Sequence, residues 1–116
     1  MTKEEPAVQD GAVVHVTLEA FEELIPDTGM AMVEFTAAWC TPCQWFEPVF
    51  SACAERNPDV LFAKVDVHSG AELARAFGVE AVPTLALISD RALIFMHSGA
   101  LETEALDSVL QQARNL

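Results

Sequence analysis

The run MAMVEFTAA (residues 30–38) is almost continuously apolar, and it leads straight into two cysteines, Cys40 and Cys43, within AAWCTPCQWFEP (37–48). An apolar run of this length fits a central strand covered on both faces. From about Cys43, Phe46, Val49, Phe50 and Cys53 recur at helical spacing, until Asn57 and Pro58 stop the pattern. The expected local structure is therefore a buried strand, a C-x-x-C pair and a helix. On its own, C-x-x-C fits a redox dithiol, half of a metal site, or two buried cysteines that happen to be close.

The totals narrow the choice. At 116 residues, 52% of them hydrophobic, the chain suits one domain with a real core rather than a disordered chain. The net charge of −12 comes from 18 acidic and 6 basic residues, a surface that repels phosphate backbones, so no nucleic-acid partner is expected. MTKEEPAVQDG is polar and acidic, unlike a secretory signal. No apolar stretch approaches the roughly 20 residues of a membrane span, so no membrane association is expected. These features point to a cytoplasmic location, where structural disulfides are uncommon. Three cysteines cannot all pair within one chain, and a C-x-x-C in that setting reads as redox-active or metal-binding.

The remaining elements follow from pattern. Residues 1–11, bounded by Pro6 and Gly11, read as a flexible lead-in, and 12–116 as the domain. Val13, Val14 and Val16 suggest a first strand, and Thr17 an N-cap for a helix with Leu18, Phe21, Leu24 and Ile25 on one face. Pro26, Asp27 and Gly29 end that helix. VLFAKVDV (60–67) reads as a buried strand, and Ser69 with Glu72 as a capping box opening GAELARAFG. TLALIS (84–89) and LIFMHS (93–98), joined by Asp90 and Arg91, suggest an antiparallel hairpin. A last helix from about Glu102 carries Leu106, Val109, Leu110 and Ala113 on one side. The order β-α-β-α-β-α-β-β-α implies an α/β domain, a central mixed five-stranded sheet flanked by four helices.

A metal site would need further ligands, and Cys53, His15, His68 and His97 are scattered without paired spacing, so no metal is expected. Trp39 and Pro42 suit an exposed helix start better than a core, which argues against an inert buried pair. A working dithiol remains.

This element order, with WCTPC (39–43) between the second strand and second helix, resembles the thioredoxin family over essentially residues 12–116. Pro48 lies where that family kinks its active-site helix. FAKVDV resembles the family's third strand, GVEAVPTLALI (78–88) its cis-proline loop, and Gly99 the glycine after its last strand. The chain departs from the usual pattern at Thr41-Pro42 in place of Gly-Pro, at Gln44 in place of a basic residue, at Glu34 in place of aspartate, and at Thr36 in place of tryptophan.

The resemblance implies a thioredoxin fold and thiol–disulfide exchange, with protein disulfides as substrates. It also implies no bound cofactor besides a redox-active Cys40–Cys43 disulfide, electrons from NADPH through a separate thioredoxin reductase-like flavoprotein, and a monomer. Two alternatives stand beside it: a more oxidising or partner-dedicated relative, and a non-enzymatic binding or chaperone module. At a helix start, unpaired N–H groups and the helix dipole favour a thiolate at Cys40, which would attack. Cys43, one turn further in, would resolve the mixed disulfide, and Pro42 is tolerated in the first turn. Glu34, between Val33 and Phe35, should have a pKa raised by desolvation and could take the Cys43 proton. Lys64 resembles the family's partner to that acid. Val82-Pro83 resembles the cis-proline segment, whose backbone pairs with an extended substrate, and Ala81 would leave room for it. Trp39, Thr41, Pro42 and Gly99 complete the expected substrate-facing set. Cys53, ten residues after Cys43 and about 15 Å along the helix, is too far to resolve the pair and reads as a small core residue.

Overall fold

A computed structural model describes residues 7–116. The chain runs β1 (Ala7–Asp10), β2 (Val13–Val16), α1 (Leu18–Leu24), β3 (Met30–Thr36), α2 (Thr41–Arg56), β4 (Leu61–Asp66), α3 (Ala71–Ala76), β5 (Thr84–Ser89), β6 (Ala92–Ser98) and α4 (Thr103–Arg114). All strands join one sheet in the order β1-β2-β4-β3-β5-β6. β4 pairs in parallel with β2 and β3, whereas β5 pairs antiparallel with β3 and β6. The five strands and four helices expected from the sequence are all present.

The sheet gains a further edge strand where the lead-in was expected. Residues 7–10 pair antiparallel with β2, Ala7 opposite Val16 and Asp10 opposite Val13. The two residues between, Gly11 and Ala12, make the turn, with Gly11 at φ 62°. The lead-in reading of residues 1–6 lies outside the described residues.

Alternation along the central strands sends side chains to two cores. Val33 and Phe35 of β3 and Ala63 and Val65 of β4 face Phe21, Leu73 and Ala74 of α1 and α3. Met32 and Phe62 face the opposite way, against Phe46, Phe50 and Cys53 of α2 and Leu106 and Leu110 of α4. Glu34 and Lys64 share the parity of Met32 and Phe62. Their side chains therefore point toward α2, and they are direct register partners. Leu18, expected on the buried face of α1, is 42% exposed. It stands at the helix's first position, ahead of the turn that Phe21 anchors in the core.

Local chemistry explains the ends of α3 better than the expected capping box does. The helix begins at Ala71 with Gly70 at its N-cap, and no side chain caps it. Instead, the Asp66 carboxylate accepts from the amides of His68 (2.7 Å) and Ser69 (3.1 Å). The Gly70 amide then donates to the Asp66 carbonyl at 2.7 Å, folding the chain tightly back on the end of β4. A Cβ at position 70 would come within 2.8 Å of Val65 Cγ1 and 2.9 Å of the Asp66 carbonyl oxygen, and that backbone cannot move aside cheaply. Gly70→Ala is accordingly expected to destabilise the fold by about 1–3 kcal/mol, read from the urea midpoint. An unchanged midpoint would show that the β4–α3 turn has slack.

Candidate active site

The C-terminal end of β3 and the N-terminus of α2 meet at the cysteine pair. Thr36 ends the strand, Ala37, Ala38 and Trp39 turn the chain, and Cys40 takes the N-cap position with φ −91° and ψ 112°. Such extended backbone lets an N-cap side chain fold back over the first turn. Here the side chain is a sulfur: the Cys43 amide donates to Cys40 Sγ at 3.1 Å. Cys40 and Cys43 form a disulfide, with Cα atoms 5.2 Å apart. Pro42 occupies the first turn, where a missing N–H costs nothing, and Pro48 lies inside the same helix.

The sulfurs are more sheltered than an exposed helix start implied. Cys40 and Cys43 are 3% and 2% exposed, packed with Ala37, Val67 and Val82. Thr41 and Pro42 are exposed, and Trp39 is 75% exposed. Trp45, which the sequence reading did not single out, is 74% exposed on α2. Its place outside the apolar spacing of Phe46, Val49 and Phe50 was the available signal.

The loop before β5 reaches the same place. The Val82–Pro83 peptide is cis, as the resemblance implied, and the Val82 carbonyl oxygen lies 3.7 Å from Cys40 Sγ. Thr84 is buried and donates its hydroxyl to the Ala81 carbonyl at 2.6 Å, which orders the residues on either side of Pro83. Gly99 donates its amide to the Pro83 carbonyl at 2.7 Å. Its φ of 107° lies where side-chain-bearing residues are strained, so glycine is required here. Ala81 is exposed and Val82 half-buried. The expected residues lie on the two segments that meet at the disulfide: Trp39, Thr41 and Pro42 on the α2 side, and Ala81, Val82, Gly99 and the buried Pro83 on the other.

On the inner side of Cys43 is a cleft of about 230 Å3, lined by His15, Thr36, Ala37, Ala38, Cys43, Gln44, Glu47, Lys64 and Asp66. Glu34, the register partner of the cleft-lining Lys64, is fully buried, and neither carboxylate oxygen has a hydrogen-bond partner. Burial pushes its pKa from 4.5 up to about 8, the Lys64 charge opposes that rise, and Glu47 adds to it. Lys64 does not hydrogen-bond Glu34, the acid it was expected to partner. Its ammonium pairs with the Glu47 carboxylate on α2 instead. The reason is geometric: Lys64 is the longer side chain, and it reaches past its register partner to the helix above.

Cys53 is buried and half a helix away. Its thiol donates to Asp107 (3.6 Å), and burial, with the Asp107 charge next, pushes its pKa up to about 11. A thiol so hard to ionise is chemically quiet, which agrees with a core role. Among the described residues, no group of three or more His, Cys, Asp or Glu is placed to hold a metal ion, and no helix is long and apolar enough to cross a membrane.

The sequence model of the family described as Thioredoxin matches residues 12–112. The chain belongs to the thioredoxin family. "Putative thioredoxin 2" of Streptomyces coelicolor is 41% identical over 105 residues, covering 90% of this chain and 78% of that protein. A single-site mutant of thioredoxin from Halobacterium salinarum superposes with a TM-score of 0.82 at 31% identity, covering 90% of this chain and 94% of that one. Fasciola hepatica thioredoxin gives a TM-score of 0.75 at 37% identity, covering 82% and 93%. The architecture is the thioredoxin fold, and a thioredoxin carrying a closed Cys40–Cys43 pair is a thiol–disulfide oxidoreductase.

The Glu34 carboxyl makes stability depend on pH. In the unfolded chain it loses its proton near 4.5, but in the folded state it holds it to about 8. Between those values the unfolded chain binds fewer protons, so stability falls as pH rises across the window. Glu34→Gln is expected to remove that slope and to stabilise the fold at pH 8 by more than about 2 kcal/mol relative to pH 4.5, measured by urea unfolding at both pH values. Parallel pH profiles for the two proteins would mean that Glu34 titrates normally.

Proposed function

We propose that this protein reduces disulfide bonds in other proteins, with Cys40 as the attacking sulfur and Cys43 as the resolving one. The observation that carries the assignment is the Cys43 amide donating to Cys40 Sγ at the start of α2. In the reduced protein the same N–H would stabilise a Cys40 thiolate, and the helix dipole adds to the effect. The Cys40 thiolate attacks one sulfur of the partner's disulfide; an S–S bond to Cys40 forms, and the partner's other sulfur leaves as a thiolate. Cys43 gives up its proton, and its sulfur attacks Cys40. The Cys40–Cys43 bond forms, the bond to the partner breaks, and the partner leaves with both sulfurs reduced. Two electrons have passed from the dithiol to the partner.

The ionised fraction of Glu34, which grows as pH rises toward 8, takes the Cys43 proton in this scheme. The support is its placement on the α2-facing side of β3 and a pKa of about 8, close to that of an ordinary thiol. Lys64 shares that face, and its charge bears on Glu34. The partner's strand lies along the Val82 backbone beside Pro83, a mode that tolerates many sequences. Ala81 and Gly99 leave it room, while Trp39, Thr41 and Pro42 frame the approach to Cys40. Regeneration draws on NADPH through a separate flavoprotein reductase, the electron source that membership of the family supports. The protein works as a monomer in the cytoplasm.

Substitution of single cysteines tests the order of events. Cys43→Ser should accumulate a covalent complex with a disulfide-containing protein such as insulin, cleaved by added thiol. Cys40→Ser should form none and should lose at least about 100-fold in insulin reduction. A complex that forms through Cys43 in Cys40→Ser would reverse the assignment. Binding or holdase activity as the sole function, undiminished in Cys40→Ser, would favour a non-enzymatic module.

A further inference from the structure

The Lys64–Glu47 pair has no place in the scheme so far, yet it sits against the acid that scheme depends on. Lys64 extends from β4 and is 4% exposed, and its register partner on β3 is Glu34. A buried ammonium beside a buried carboxylate would ordinarily pair with it, since each otherwise bears the full cost of desolvation. Here Lys64 pairs with Glu47 instead. Glu47 stands on α2 one turn beyond Cys43, half-exposed, and accepts the Lys64 ammonium from above. Both Glu34 oxygens are left without a partner.

We propose that Glu47 is a positioning residue for the resolving step: by holding the Lys64 ammonium it keeps Glu34 unpartnered and able to exchange a proton with Cys43. The inference rests on the reading of Glu34 as proton acceptor and adds the group that sets its state. The charged and titratable groups around Glu34 are few. Lys64 from β4 and Glu47 from α2 bear on it directly, while Cys43 of α2, His15 of β2 and Asp66 of β4 line the cleft that Lys64 and Glu47 also border. On the β5 side Glu34 meets Leu85, which is apolar and buried. The Lys64 ammonium is hydrogen-bonded to Glu47. Glu47 acts on Glu34 in two ways of the same sign, by occupying the ammonium and by adding its own negative charge nearby.

Glu47 also connects the buried pair to water. Its side chain is 47% exposed whereas Lys64 is 4% exposed, so the carboxylate joins the closed interior to the cleft mouth. If Glu47 is made neutral, Lys64 is free to turn to Glu34, and a salt-bridged carboxylate is held ionised to lower pH. Glu34 would then be a weaker base toward the Cys43 thiol.

The test uses Glu47→Gln, with Glu47→Asp as the variant that keeps the charge and Glu34→Gln as the control. In oxidised protein carrying 13C-carboxyl glutamate, the Glu34 resonance is assigned by its loss in Glu34→Gln and titrated. In reduced protein, the mixed disulfide of Cys40 with thionitrobenzoate is formed, and its release by Cys43 is timed by stopped flow against pH. Glu47→Gln should lower the Glu34 midpoint by about one pH unit or more. The midpoint of the release profile should move down with it, and Glu47→Asp should return both toward the parent values. Because Glu47 lies at the surface, a purely structural loss would lower rates at every pH without moving either midpoint, and that result would overturn the proposal. So would a Glu34 midpoint that falls while the release profile stays put. A release profile unchanged in Glu34→Gln would overturn it at its root, locating the failure in the reading of Glu34 rather than of Glu47.

Discussion

The contact from the Cys43 amide to the Cys40 sulfur depends on β3 ending where α2 begins. β3 is held on both sides, by parallel β4 and antiparallel β5, and its buried residues Ala31 through Phe35 leave it no freedom to slide. A shift by one residue would turn Glu34 to the opposite core and Phe35 toward α2, so the register is strongly fixed. The helix is fixed in turn by Phe46 and Phe50 against Met32 and Phe62. Two rigid elements therefore meet at a three-residue turn, and the N-cap position falls on Cys40. The free N–H groups of a helix start, which usually find a hydroxyl or carboxylate, here meet a sulfur. The second half of the site is brought in by the sheet as well: β5 pairs with β3, so the loop entering β5 arrives beside the turn leaving β3.

The site joins two environments that would be costly apart. Outside, the helix start and the exposed rim of Trp39, Thr41 and Pro42 offer a negative sulfur stabilisation and a partner access. Inside, the sheet holds a carboxyl away from water and from hydrogen bonds, which shifts its proton affinity toward that of a thiol. Cys43 lines the cleft that Lys64 and Glu47 also border. A buried, unpartnered acid lowers the stability of the fold at neutral pH, and such a local cost is ordinarily found where function requires it. The large apolar contact area of the two cores on either side of the sheet supports that cost.

Much of this was legible in the sequence because the signals were long or chemically specific. The continuous apolar run of β3, the helical spacing of Phe46, Phe50 and Cys53, and the paired cysteines each had one dominant physical reading. Pro83 and Gly99 were legible only through family likeness, since nothing in Val-Pro or Ser-Gly-Ala alone fixes a cis peptide or a positive φ. What the sequence concealed depended on geometry across elements. Ser69 and Glu72 had capping-box spacing, but Asp66 draws the His68 and Ser69 amides into a turn, so the helix starts later, at Ala71, with no side-chain cap. AVQD showed little β character, although the following glycine is a hairpin signal and the pairing came from β2. Lys64 was expected beside Glu34 only through family likeness; the two are register partners, but its hydrogen-bond partner lies on a helix 17 residues away in sequence, where no spacing rule would look. Leu18 and Trp45 show the same limit: apolar residues at helix positions are not all buried, and only the packed structure tells which.

The proposed function requires the Cys40–Cys43 pair to be a reversible couple poised to reduce protein disulfides. Equilibrating the protein with a defined thiol buffer and quantifying the dithiol and disulfide forms measures that poise directly. The account predicts a potential near about −270 mV, low enough to drive electrons toward most exposed protein disulfides. A potential at or above roughly −180 mV, or no reversible couple at all, would contradict it.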